Sequence, residues 1–380
     1  MKYYIIAGEP SGDLHASNLM REIKIIDKDA KFRFWGGDLM AKQGGEMVAH
    51  YKDTAFMGVF QVVMNLSSIF KNLKKCREDI VAYSPDVVIL VDYPGFNMRI
   101  AKFAKNAGFK TYYYIAPKIW AWNQGRVHKI KKYIDKVFTI LPFETDFYAK
   151  YDVPVVYSGN PTLDALSARE NQDETIENFR KRTNLDEKPI ISLLAGSREE
   201  ELERLLPEML NVVQFFPEYQ FVIAGAPSFT IENYKKYIDN NPQVKVLFDE
   251  AYSLLTHSYA SLVTSGTATL EAGLLNSPQV VCYKMWGGRF ASFLAKKIII
   301  KVPFVSLVNL IMGREVVKEL FQEELTQETL RNELDKICND AEYRSKMLQN
   351  YDELRKIMGE PGSSKKTAQL MWEDLNNRNS

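Results

Sequence analysis

The sequence predicts an α/β protein of two doubly wound parallel-sheet domains facing across a cleft. Three observations predict it. Residues 3–7 (YYIIA) are an apolar run of strand length, closed by Gly8-Glu9-Pro10-Ser11-Gly12-Asp13, after which Leu14, Leu19, Ile23 and Ile26 recur at helical spacing. The same strand, loop and helix return half a chain later as residues 190–194, the loop Ala195-Gly196-Ser197-Arg198 and the amphipathic stretch 199–210. The length, 380 residues, suits two domains. In open α/β sheets ligands bind beyond the carboxyl ends of the strands, where backbone N–H groups and helix N-termini favour anions. Both loops are therefore candidate sites.

In the first domain, residues 1–165, further strands are predicted at 31–35, 86–91, 110–115, 137–141 and 153–157. The run 86–91 (DVVILV) is apolar enough for a central strand buried on both faces. It ends in Asp92-Tyr93-Pro94-Gly95-Phe96-Asn97, which sets a carboxylate where the ligand crevice belongs, and a helix is predicted over 98–106. Residues 55–70 are nearly uncharged until Lys71, Lys74 and Lys75. They fit either two buried helices or an apolar face with a lysine rim at a membrane surface. Trp120-Ala121-Trp122 fits a core. Arg126, Lys129, Lys131, Lys132 and Lys136 make the next helix basic, a solvated face that also suits anionic lipid or phosphate.

Residues 167–177 are polar and mark the linker. The second domain, 166–362, repeats the alternation with strands at 190–194, 220–224, 244–247, 260–263 and 279–282. Ser265-Gly266-Thr267 follows the strand at 260–263 and opens a helix, so its hydroxyls and N–H groups suit a diphosphate. Glu271, one turn on, suits a sugar diol, because a carboxylate accepts from two hydroxyls. Residues 289–312 are apolar but broken by Lys296, Lys297 and Lys301, an interfacial rather than a spanning pattern. A last helix, 363–380, is expected to pack back on the first domain.

Composition narrows the function. A net charge of +1 gives no global attraction to nucleic acid. The three cysteines, Cys76, Cys282 and Cys338, lack disulfide or zinc spacing and fit a reducing cytosol. No signal peptide and no apolar run of spanning length is present, so the expectation is a cytoplasmic protein, soluble or held at a membrane surface. The histidines are isolated. Asp27-Lys28-Asp29 reads as a solvated turn, and neither a phosphate-binding ATPase loop, a dinucleotide fingerprint nor a nucleophile elbow occurs. No metal or cofactor is expected. Two such domains with a diphosphate-type loop point to a metal-independent nucleotide-sugar transferase.

An ordered set of motifs carries the reading further. Gly8–Asp13, Asp92–Asn97, Trp120-Ala121-Trp122, Leu141-Pro142-Phe143-Glu144, Gly196-Ser197-Arg198, residues 265–271 (SGTATLE), residues 305–310 (VSLVNL), Gly313-Arg314-Glu315 and Gln322-Glu323-Glu324 together resemble the lipid-A-disaccharide synthases. Pro10, Gly95 and Val308 depart from what that family usually carries. The resemblance implies a GT-B fold and an inverting transfer from UDP-2,3-diacylglucosamine to 2,3-diacylglucosamine 1-phosphate, giving a β-1,6-linked disaccharide phosphate and UDP. It implies Asp92 and Glu9 as catalytic residues. It places Ser11, Gly12, Asp13, Asn97, Arg198, Ser265, Gly266, Thr267, Glu271, Asn309, Gln322 and Glu323 against substrates. Acylated substrates imply a peripheral position on the inner face of the inner membrane. A homodimer is a further partner to test. The alternative is another GT-B enzyme of UDP-sugars, a lipid-linked sugar transferase or an epimerase.

Overall fold

The computed structural model describes residues 1–54, 66–238, 241–284 and 303–377. It divides into two compact units, Met1–Asp164 with Glu360–Ser380, and Ala165–Gly359.

The first unit holds seven parallel strands: β1 (Lys2–Ala7), β2 (Lys31–Gly36), β3 (Glu46–His50), β4 (Val87–Val91), β5 (Lys110–Tyr114), β6 (Lys136–Thr139) and β7 (Val155–Tyr157). Their order is β3-β2-β1-β4-β5-β6-β7. Successive side chains of a strand point to opposite faces, so an uninterrupted apolar run feeds two cores. Tyr4, Ile6, Val88 and Leu90 enter one core with helices Leu66–Tyr83 and Pro94–Asn106. Tyr3, Ile5, Val87 and Ile89 enter the other, where helix Pro10–Ile26 supplies Leu19, Met20 and Ile23. Helix Ser363–Asn376 lies beside Pro10–Ile26 and adds Ala368 and Met371 to that core. It is pinned at both ends. Asp164 accepts from the N–H groups of Gly362, Ser363 and Ser364, and Asp374 pairs with Lys110 at 2.7 Å and Lys136 at 3.1 Å.

The second unit carries six parallel strands: β8 (Ile190–Leu194), β9 (Gln220–Gly225), β10 (Val244–Phe248), β11 (Ala260–Thr264), β12 (Gln279–Tyr283) and β13 (Lys318–Phe321), in the order β10-β9-β8-β11-β12-β13. In each sheet the strand order runs outward one way from the first strand and then returns to its other side. The switch points lie between β1 and β4 and between β8 and β11.

Several details differ from the sequence reading. β3 (EMVAH) and β13 (KELF) are absent from the sequence reading; both are short edge strands whose residues are mostly half-buried or exposed. Helix Pro10–Ile26 begins four residues early, at Pro10, so Ser11, Gly12 and Asp13 stand in its first turn. Pro94 likewise starts its helix, because proline fits the first helical position. Residues 307–312 of the stretch 289–312 are core: Leu307–Met312 is a helix with Leu307, Val308, Ile311 and Met312 buried. Residues 289–302 of that stretch, and 55–65 of the earlier apolar one, lie outside the described residues. Among the described residues no helix is long and apolar enough to cross a membrane.

Candidate functional site

The loops singled out in the sequence stand at the two switch points. In the first unit Ala7 pairs with Val91, so the segments after β1 and β4 leave the sheet side by side. Their packing is close. A Cβ on Gly8 would lie 2.2 Å from the ring of Tyr93, and one on Gly12 would lie 3.3 Å from the Ala7 Cβ. Glycine is the residue that admits this approach.

Asp92 and Tyr93 both hold left-handed backbone, with φ of 46° and 50°. For residues with a side chain this costs on the order of 1 kcal/mol each, and such strain gathers at functional sites. Neighbouring groups hold it in place. The Asp92 carbonyl accepts from the Asn97 amide at 2.7 Å and the Tyr113 hydroxyl at 2.8 Å. The same Asn97 nitrogen reaches the Val91 carbonyl at 3.2 Å and the Ile6 carbonyl at 3.4 Å. Burial raises the pKa of the Asp92 carboxyl above the usual carboxylate range, against the opposing pull of the Tyr93 N–H and the Lys118 charge. Glu9 is the residue before the helix at Pro10, in extended backbone. Its charge lies close enough to Tyr93 to raise the phenol's pKa, behind the larger effect of burial.

Several of the residues singled out in the sequence are engaged within the protein. Asp13 is buried, and its carboxylate accepts from the N–H groups of Gly37, Leu39 and Met40, tying the first loop to the end of β2. Asn97 is fully buried and acts on the Asp92 backbone. Trp120 donates to Glu144 at 3.0 Å inside the core, where burial pushes the Glu144 carboxyl up to about 7. Asp27 binds the chain's amino terminus and the Tyr3 hydroxyl, a structural turn.

In the second unit Leu194 pairs with Val263, which sets the loop Gly196-Ser197-Arg198 beside Ser265-Gly266-Thr267. Glu201 accepts from the Ser197 N–H at 3.0 Å and the Arg198 guanidinium at 2.8 Å, so an anion already occupies that loop. Gly266 has φ of 142° and a Cβ there would meet nothing within 4 Å, leaving open space before helix Thr267–Leu274. Ser265 donates to the Val305 carbonyl at 2.9 Å. Burial raises the pKa of Glu271, and the Tyr252 hydroxyl lies 3.5 Å from it. Tyr252 also lines a cavity of about 400 Å³ at the ends of β9 and β10, with Gly225 and Asp249. Nothing in the sequence pattern marks Tyr252, an aromatic in the short helix Ala251–His257.

Asn309 is buried and internally satisfied. It donates to the Val317 carbonyl and Glu319, and accepts from the N–H groups of Val316 and Val317. Glu319, also unforeseen, accepts from the N–H groups of Val305 and Ser306 and so holds the segment that Ser265 meets. Gln322 and Glu323 follow β13, two strands from β11 on the same edge of the sheet. The Gln322 side-chain nitrogen is buried with no partner among the described residues.

Comparison with known proteins closes the question of family. The family described as Lipid-A-disaccharide synthetase matches residues 3–373. A lipid-A-disaccharide synthase of Myxococcus xanthus is 36% identical over 98% of this chain and 97% of its own length. One of Coxiella burnetii is 32% identical over 97% and 96%. Among solved structures, a UDP-GlcNAc 2-epimerase from Neisseria meningitidis bound to UDP-GlcNAc superposes with a TM-score of 0.68 at 13% identity, covering 98% of this chain and all of that one. An S. aureus MnaA–UDP structure gives 0.69 at 13% identity, covering 99% and 97%. The structural likeness shows the GT-B fold, and the sequence relatives show that the chain belongs to the lipid-A-disaccharide synthase family of glycosyltransferases.

Proposed function

We propose that the chain moves an acylated glucosaminyl group from UDP-2,3-diacylglucosamine to the 6-hydroxyl of 2,3-diacylglucosamine 1-phosphate, with inversion, releasing UDP. The observation that carries this reading is Asp92: a carboxylate at the end of a doubly buried strand, in backbone held by Asn97 and Tyr113. Asp92 takes the proton of the acceptor 6-hydroxyl as that oxygen attacks the anomeric carbon and the bond to UDP breaks. Glu9, whose charge reaches Tyr93, is a second carboxylate of the same pair of loops. The first unit then serves the acceptor and the second the donor. Free N–H groups at the start of helix Thr267–Leu274 suit the diphosphate, Glu271 the ribose diol, and the cavity lined by Tyr252 the base. Arg198 meets the diphosphate once Glu201 gives way. Gln322 and Glu323 face the donor sugar from β13.

Acylated substrates place the enzyme on the cytoplasmic face of the inner membrane. Phe70, 65% exposed beside Lys71, Lys74 and Lys75, supports contact there. The test is UDP release from the acylated donor in detergent micelles. UDP is expected only when the acylated acceptor is present, and a 6-deoxy acceptor should give none. Acceptor-independent UDP release would point to an epimerase-like enzyme of the same fold.

A further inference from the structure

A second cavity lies in the first unit, next to Asp92. Its volume is about 350 Å³. Helix Pro94–Asn106 presents Gly95, Met98, Arg99 and Lys102 to it, at positions i, i+3, i+4 and i+7, which form one helix face. The segment through helix Val127–Tyr133 presents Arg126, Lys129, Ile130 and Tyr133 at the same spacing. The two helices pack together, so two like-patterned faces enclose the space. Among the described residues four cationic side chains line it and no acidic one does. In a chain of net charge +1 that is a marked local excess. Arg99 is oriented by donating to the Gly95 carbonyl at 2.7 Å, in the first turn after Asp92. Met98, Ile119 and Ile130 give the same cavity an apolar wall.

A cavity with one apolar wall and a ring of cations matches an anion that carries hydrocarbon. We propose that this cavity binds the phosphate of the acylated sugar phosphate acceptor, with an acyl chain along the wall formed by Met98 and Ile130. This rests on the transfer reaction proposed above. The chemistry of the acceptor agrees with the placement. Its 6-hydroxyl and its 1-phosphate flank the ring oxygen on one edge of the sugar. A sugar that offers the hydroxyl to Asp92 can carry its phosphate into the cavity, whose lining begins two residues on, at Pro94 and Gly95. Arginine and lysine bind phosphate by charge-assisted hydrogen bonds, the stronger class. A phosphate held here would select a phosphorylated acceptor over the neutral sugar.

The test is a double substitution, Lys102→Ala with Lys129→Ala, assayed with the acylated acceptor and with the same sugar lacking its 1-phosphate. Both lysines are exposed, so the fold should hold. The parent is expected to prefer the phosphorylated acceptor by about 10- to 100-fold in kcat/KM. In the variant, which keeps Arg99 and Arg126, that preference should fall severalfold, with donor KM unchanged. An unchanged preference would overturn the proposal. A third arm measures co-sedimentation with phosphatidylcholine vesicles containing phosphatidylglycerol. If the variant loses vesicle binding but keeps its acceptor preference, the lysines meet bulk lipid and the proposal falls. Should the parent form no disaccharide, the reaction reading fails by itself. Equilibrium binding of the two acceptor forms in micelles to parent and variant then decides the pocket.

Discussion

At the scale of single residues, a polar side chain beside a ligand crevice can either meet the ligand or hold the backbone that does. Asp92 and its neighbours divide along that line. Replacing Asp92 with Asn keeps the shape and removes the base. Turnover should fall roughly 10²- to 10⁴-fold while UDP affinity and melting temperature stay near the parent's. The sign of the pH effect follows from burial. The base acts ionised, and burial raises its pKa, so the rate should climb with pH through a limb above the ordinary carboxylate range. Removing the nearby positive charge with Lys118→Ala should move that limb to still higher pH, read from kcat/KM against pH. Glu271→Ala should weaken UDP binding by about 1–3 kcal/mol, measured calorimetrically, because a buried hydroxyl pairing is lost. The placement of Asp92 and Arg198 just beyond strand ends, and of Glu271 in the helix after β11, was legible because each strand is an apolar run of strand length bounded by turn residues. The duties of Asp13, Asn97 and Asn309 were not, since spacing cannot tell a side chain that bonds backbone from one that faces substrate. Tyr252 and Glu319 carried no signal because their partners are remote in sequence.

At the scale of elements, the strands that read clearly were those with apolar residues in an unbroken run or in alternation with polar ones. β3 and β13 are the two that did not, for a physical reason. Both are short and their residues are mostly half-buried or exposed, so no long apolar run or clear alternation marks them. The helix starts shifted because a proline reads as loop although it fits a first turn. The last helix offers a test of what anchors it. Lys110, Lys136 and the Tyr112 hydroxyl hold the Asp374 carboxyl down to about 2 against the opposing effect of burial. A depressed carboxylate stabilises above its unfolded pKa and loses that contribution as pH falls through its folded value. Asp374→Asn should therefore cost about 1 kcal/mol at neutral pH, reduced by the partial exposure of the site. In thermal unfolding that is about 2–4 °C. The gap between variant and parent should close as pH drops from about 4 toward 2.

At the scale of the whole molecule, two sheets with two switch points were readable from the alternation of apolar runs with helical spacing. The two apolar stretches were harder. One ends in buried core at residues 307–312, while the other continues into the helix that bears exposed Phe70. Vesicles with anionic lipid should carry the protein down on sedimentation, less so as salt rises. Phe70→Glu together with Val63→Glu, the latter outside the described residues, should abolish that binding in a folded protein. One feature of the chain's path also governs how it is made. The first unit takes its final helix from residues beyond the second, whereas the second is one continuous run. During synthesis the second unit can close as soon as it leaves the ribosome. The first must wait, with Leu19, Met20 and Ile23 of helix Pro10–Ile26 lacking the cover of Ala368 and Met371, until residues 363–376 have been made. A nascent chain halted before residue 360 should therefore bind chaperones through its amino-terminal part, and completing the helix should release it.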